Sequence, residues 1–214
     1  MNDSYSILII EDEKNILDFM SRTLKANGYK TTTVTSGKAG LSIINSQCPD
    51  LILLDLGLPD MDGNDIIASV REWTSCPIIV ISARTGEHDK VAALDLGADD
   101  YITKPFNTNL LISRCNNLVN SRILLQEKFS KQPQTAAHML ATNPIDKDIL
   151  DRAMSIIEQH LDDTEFNVNV FAREMAMART NLFTKLKAIT GQTPNEFILT
   201  IRLKKGALML RNNP

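Results

Sequence analysis

No apolar run in this sequence approaches the roughly 18 residues that a membrane-spanning helix needs, and no basic-then-apolar leader opens it. A membrane-embedded or exported protein is therefore not expected, and the reading is of a cytoplasmic one. Cysteine is scarce as well. Cys48, Cys76 and Cys115 are odd in number and lack metal-ligand spacing, so they read as free thiols in a reducing compartment. A glycine-rich Walker loop and a G-x-G-x-x-G stretch are both missing, which deprives a nucleotide-binding reading of its phosphate cradle. Large net charge is missing too: 214 residues carry a formal −3. That charge is unevenly placed. Residues 1–144 hold 13 basic against 17 acidic side chains, whereas 145–214 hold 10 against 9, and from Arg179 to Arg211 seven basic residues meet only Glu196. A positive field is thus confined to the last segment.

What is present is organised around residues 51–63. Four consecutive apolar residues, Leu51, Ile52, Leu53 and Leu54, are too few for a buried helix and are bounded by Pro49 and a turn cluster from Gly57 to Gly63. They read as a strand buried on both faces. Further strands are expected at 7–10, 30–34, 78–81 and 101–103. Amphipathic helices are expected at 14–26, 37–46, 64–73, 87–96 and 108–126. Such alternation predicts an α/β fold, a parallel sheet covered by helices on both faces.

In an open parallel sheet, chemistry sits beyond the carboxyl ends of the strands. Glu11 and Asp12 follow the first strand, Asp55 the third, Ser82 closes the fourth, and Lys104 follows the fifth with Pro105 behind it. The alternative for Asp55, a helix cap, is disfavoured because Gly57, Pro59 and Asp60 stand between it and the next helix. Three converging carboxylates repel and imply a hard cation. Oxygen ligands without His or Cys suit Mg²⁺ rather than Zn²⁺. A lysine and a hydroxyl beside that cation are what a phosphoryl group requires.

The motifs around Glu11–Asp12, Asp55 to Gly63, Ser82–Ala83 and Tyr101 to Phe106 resemble the receiver domain of two-component response regulators, over about residues 5–122. The resemblance implies a flavodoxin-like, doubly wound five-stranded parallel sheet in the order 2-1-3-4-5 and Asp55 as phosphoacceptor from a sensor histidine kinase. It also implies Mg²⁺ held by Asp12, Asp55 and the Gly57 carbonyl, with Glu11 acting through water. Lys104 and Ser82 would contact phosphoryl oxygens, and Tyr101 would turn inward. Lys90, Asp95, Asp99, Asp100 and Arg114 match the dimerising helix 4, strand 5, helix 5 face of OmpR-type receivers, although Leu110 stands where an acidic partner is usual.

Beyond the receiver-like part (residues 1–125), residues 126–144 read as a helical extension and a linker with proline at both ends, in which His138 is a solvated side chain. Residues 145–214 read as all-α. A first helix has Ile149, Met154, Ile157 and Leu161 on its apolar face. A helix-turn-helix follows: Asn167 caps residues 168–175, and 179–189 form the second helix with Leu182, Phe183 and Leu186 inward. Arg179, Thr180, Asn181, Thr184 and Lys185 then face outward, a set able to reach base edges and phosphates. Thr193, Pro194 and Glu196 make a capping box. This region resembles the AraC-type DNA-binding domain of hybrid two-component regulators, with Ala178 in place of the usual capping serine and Gly206 inside the last helix, and ends after the first of the family's two helix-turn-helix units. The expectation is a phosphorylation-switched, DNA-binding transcription regulator rather than an enzyme. The competing reading is a protein-interaction module with a solvated basic face.

Overall fold

The computed structural model describes residues 5–72, 74–133, 139–140 and 144–212, without the side chains of the last two. Trp73, His138 and most of the expected linker lie outside them. The chain divides into two compact units, residues 1–121 and 122–214.

In the first unit, β1 (Ser6–Ile10), β2 (Lys30–Val34), β3 (Leu51–Leu54), β4 (Ile78–Ser82) and β5 (Asp100–Thr103) form one parallel sheet in the order β2-β1-β3-β4-β5. The expected strand order is found. Register runs Ile10 beside Leu54, Leu54 beside Val80 and Val80 beside Tyr101, so β1 and β3 end level with one another, and β4 and β5 run two residues further, to the paired Ser82 and Thr103. Every residue of β3 and β4 is buried, as the uninterrupted apolar runs demand of strands covered on both faces. The edge strand β2, rich in threonine, is only partly covered.

The strands are joined by α1 (Lys14–Ala26), α2 (Gly37–Gln47), α3 (Gly63–Arg71) and α4 (Glu87–Asp95), and α5 (Thr108–Lys131) follows β5. Asp62 caps α3 by accepting from Asn64 N–H at 2.9 Å. The cap role weighed against Asp55 therefore belongs to another residue. α3 stops at Arg71, short of the expected 73.

The second unit begins inside α5, whose residues 122–131 contribute Phe129, fully buried, to its core. It continues with α6 (Pro144–Gln159), α7 (Val168–Glu174), α8 (Arg179–Thr190) and α9 (Pro194–Asn212). Phe197 stacks between Phe129 at 5.9 Å and Phe171 at 6.4 Å, measured between ring centroids. The buried face of α6 differs from the expected one. It is wider: Leu150, Ala153, Ile156 and Asp146 are buried beside the expected Ile157, the expected Ile149 and Met154 pack half-buried against the same core, and Leu161 is half-exposed. Asp146 is a charged residue that hydrophobicity alone would place outside. Its helical phase puts it inside, two residues along from Pro144. Asn167 caps α7 through Asn169 and Val170 N–H, Ala178 offers α8 no side-chain cap, and Glu196 and Thr193 close the capping box of α9 at 2.8 and 3.4 Å. Among the described residues no helix is long and apolar enough to cross a membrane.

Candidate functional site

The carboxyl ends of β1, β3 and β5 bring the expected residues together. Carboxylate oxygens of Glu11, Asp12 and Asp55 lie within 4.8 Å of one another. Asp12 is exposed at the rim, whereas Glu11 and Asp55 are buried. Into this cluster Lys104 projects from the end of β5, its Nζ 2.9 Å from Glu11 Oε2 and 3.5 Å from Asp55 Oδ2. Gly57 is exposed two residues beyond Asp55. Gly63 packs so closely that a Cβ there would stand 2.7 Å from the Asp55 carbonyl oxygen, which is why the turn can carry only glycine at that point.

Charge and burial oppose each other here. Burial pushes the Glu11 carboxyl above the ordinary glutamate value, and the Asp55 charge pushes the same way, against the Lys104 ammonium. Burial alone would lower the Lys104 pKa, but its hydrogen bond to Glu11 and the charges of Glu11, Asp55 and Glu13 raise it, so the ammonium persists. One cation facing three clustered carboxylates leaves an excess of negative charge held on oxygen donors. That donor set fits a hard divalent ion.

Ser82, buried at the end of β4, accepts a hydrogen bond from Arg84 N–H at 3.2 Å, and Tyr101, also buried, donates to the Arg84 carbonyl at 2.8 Å. The Arg84 guanidinium reaches Asp62 at 2.8 Å. Sequence reasoning passed over Arg84 and Glu13, the latter 3.5 Å from Lys104 Nζ. Both stand within two residues of a residue it did name, and that adjacency was the available signal.

Comparison with known proteins bears directly on this geometry. The family described as response regulator receiver domain matches residues 7–116, just over half of the chain. The chain belongs to that family. Its receiver domain is similar to the KDP operon transcriptional regulatory protein KdpE of Escherichia coli, 46% identical over 109 residues, covering 51% of this chain and 48% of that protein. The receiver domain of the Francisella response regulator 1452 superposes with a TM-score of 0.53 at 33% identity, covering 55% of this chain and 98% of that one. A longer match takes in the helical unit. Histidine kinase P4 of Formosa agariphila is 34% identical over 211 residues, 97% of this chain but 15% of that protein. The chain thus spans a small part of that relative and about half of the transcriptional regulators.

Along α4, β5 and α5, the residues expected at a dimer face separate into two kinds. Lys90 and Asp95 are exposed on α4, beside exposed Val91 and Leu94. Asp99 is engaged within its own domain, pairing with Arg71 at 2.8 Å and accepting from Ile78 N–H at 2.8 Å, and Asp100 pairs with Arg114 at 3.2 Å. Asp99 thus braces α3 against the start of β4.

The helical unit also sorts its expected residues. Arg179, Thr180 and Asn181 are exposed and Thr184 half-exposed on α8. Two assignments exchange places: Phe183 is 43% exposed, and Lys185 is turned inward, 3.6 Å from the buried Asp146 carboxylate. Other cations of the basic segment are also occupied. Arg202 donates to the His160 and Asp163 carbonyls, and Lys205 pairs with Glu158 at 3.0 Å.

Proposed function

We propose that this chain is a phosphorylation-switched regulator in which Asp55 accepts a phosphoryl group from the phosphohistidine of a sensor kinase, and in which the helical unit acts on transcription by binding DNA. The observation that carries the first half is the Asp55 carboxylate at the end of β3, buried within reach of Lys104 and clustered with Glu11 and Asp12. An Asp55 carboxylate oxygen attacks phosphorus, the P–N bond breaks, and the imidazole departs with the electron pair and takes up a proton. Asp12, Asp55 and the Gly57 carbonyl would hold Mg²⁺, with Glu11 behind them; when bound it offsets charge on the phosphoryl oxygens. Lys104 offsets the rest. Ser82 exchanges its bond from Arg84 N–H for one to the phosphoryl group, which moves the loop that Tyr101 latches through the Arg84 carbonyl. A preference of a few kcal/mol between two loop positions changes their populations by orders of magnitude.

A small phosphodonor with Mg²⁺ is expected to add one phosphoryl group to the wild type and none to Asp55→Asn, because the amide is a poor nucleophile. Intact-mass spectra decide it. The same adduct on the variant would overturn the assignment.

DNA binding is supported by the exposed Arg179, Thr180, Asn181 and Lys187 on α8. A second reading, a helical unit that binds protein instead, draws on Leu199, Leu203 and Leu210, exposed by 57, 62 and 79% on α9. Steep salt dependence of duplex binding separates the two, since phosphate contacts release counterions and apolar contacts do not.

A further inference from the structure

The helix α8 has two stripes of opposite character. Leu182, Lys185, Leu186 and Ile189 follow the spacing i, i+3, i+4, i+7 and face the core of the helical unit, Lys185 being accommodated there by Asp146. Thr180, Phe183, Thr184 and Lys187 follow the same spacing two residues earlier and face solvent or its edge. The Phe183 ring stands in the middle of that second stripe, 43% exposed, with Lys187 Nζ 5.9 Å from its centroid. It is an apolar island among hydroxyls and cations. The core does not need it, since Leu182 and Leu186 on either side are fully buried.

We propose that Phe183 is a specificity-determining residue of this helix and reads the C5 methyl of a thymine in the major groove. This rests on the DNA-binding reading above. The chemistry selects the target: the thymine methyl is the apolar feature of the major-groove edge, and phenylalanine is among the side chains suited to contact it. Thr180 and Thr184, one turn before and beside the ring, offer hydroxyls to neighbouring base edges or phosphates, and Lys187 offers a cation to the backbone.

The 214-residue chain would be used to enrich duplexes from a random-sequence library, and the enriched duplexes remade with each thymine replaced in turn by uracil, which differs only in lacking the methyl. Binding is read by fluorescence anisotropy for the wild type, Phe183→Ala and Phe183→Leu. At one or two positions, uracil is expected to weaken the wild type about fourfold, the worth of one buried methyl. The same replacement should leave Phe183→Ala unchanged and Phe183→Leu partly sensitive. Should alanine lower the melting temperature, Phe183→Gln, which keeps length and helix propensity, makes the same comparison. Equal sensitivity in wild type and variant, or no sensitive thymine in a duplex that binds selectively, overturns the role of Phe183 and leaves DNA binding standing. Failure to enrich any duplex overturns both.

Discussion

The two units use charge in opposite ways. In the receiver domain, Glu11, Asp12, Asp55 and Lys104 come from three strand ends and meet at one place, where their mutual repulsion and attraction remain available to a ligand. In the helical unit, Asp146 with Lys185, Glu158 with Lys205 and Arg202 with two carbonyls each tie one helix or loop to another. The difference follows from architecture. A parallel sheet delivers all its strand ends to one edge, so polar residues placed there converge without being spent on packing. Short helices have no such edge. Their polar residues are distributed around each cylinder, and those that fall in the inward phase have to be paired within the fold.

The comparison can be broken in three further places. The largest effect is expected where the helical unit relies on packing alone: Phe129→Ala should remove about 3–5 kcal/mol from that unit and leave the receiver transition in place. Urea unfolding followed by a probe in each unit checks this. A loss shared equally by both would mean that the ring supports the first unit instead. Next, Lys185→Met removes the ammonium that faces the buried Asp146 carboxylate, at a cost of about 3 kcal/mol or more, and the added change Asp146→Leu should recover most of it. Thermal melts of the single and double variants test the pairing. Recovery that does not come would show that Lys185 acts elsewhere.

The smallest effect is expected at the charged site itself. Glu11 has its pKa raised on folding, so the folded chain keeps a proton that the unfolded chain releases between the ordinary glutamate value and the raised one. Stability therefore falls as pH rises through that window and levels off above it. Without divalent ions, Glu11→Gln should stabilise the receiver domain at neutral pH, and the advantage should vanish as the pH is lowered to the ordinary range. An advantage that stays constant with pH would remove the burial argument for Glu11.

These contrasts also explain what could be read in advance. The strand at Leu51–Leu54 and the edge at which Glu11, Asp55, Ser82 and Lys104 meet were legible because a run of four apolar residues followed by a carboxylate has few structural outcomes. The phase of α8 was not. On a helix, neighbouring residues are about 100° apart, and hydrophobicity drew Phe183 inward and sent Lys185 out. The correct phase becomes visible only when Asp146, distant in sequence, supplies the buried partner that a lysine needs. Asp99 is a similar case: its partner Arg71 and the Ile78 amide are set by the fold, and no local pattern announces them.

The position of Phe129 has a consequence for what counts as a movable part of this chain. Proline-bounded stretches invite a cut, and residues 132–144 look like one, but a fragment begun at 145 would leave behind Phe129 and the buried Leu140, and with Phe129 one of the two rings stacked on Phe197. The inheritable block starts in the middle of a helix, at Arg122. A recombination event or an engineer that respects the apparent linker would transfer a domain with a hole in it, whereas one that cuts through α5 would transfer the core whole.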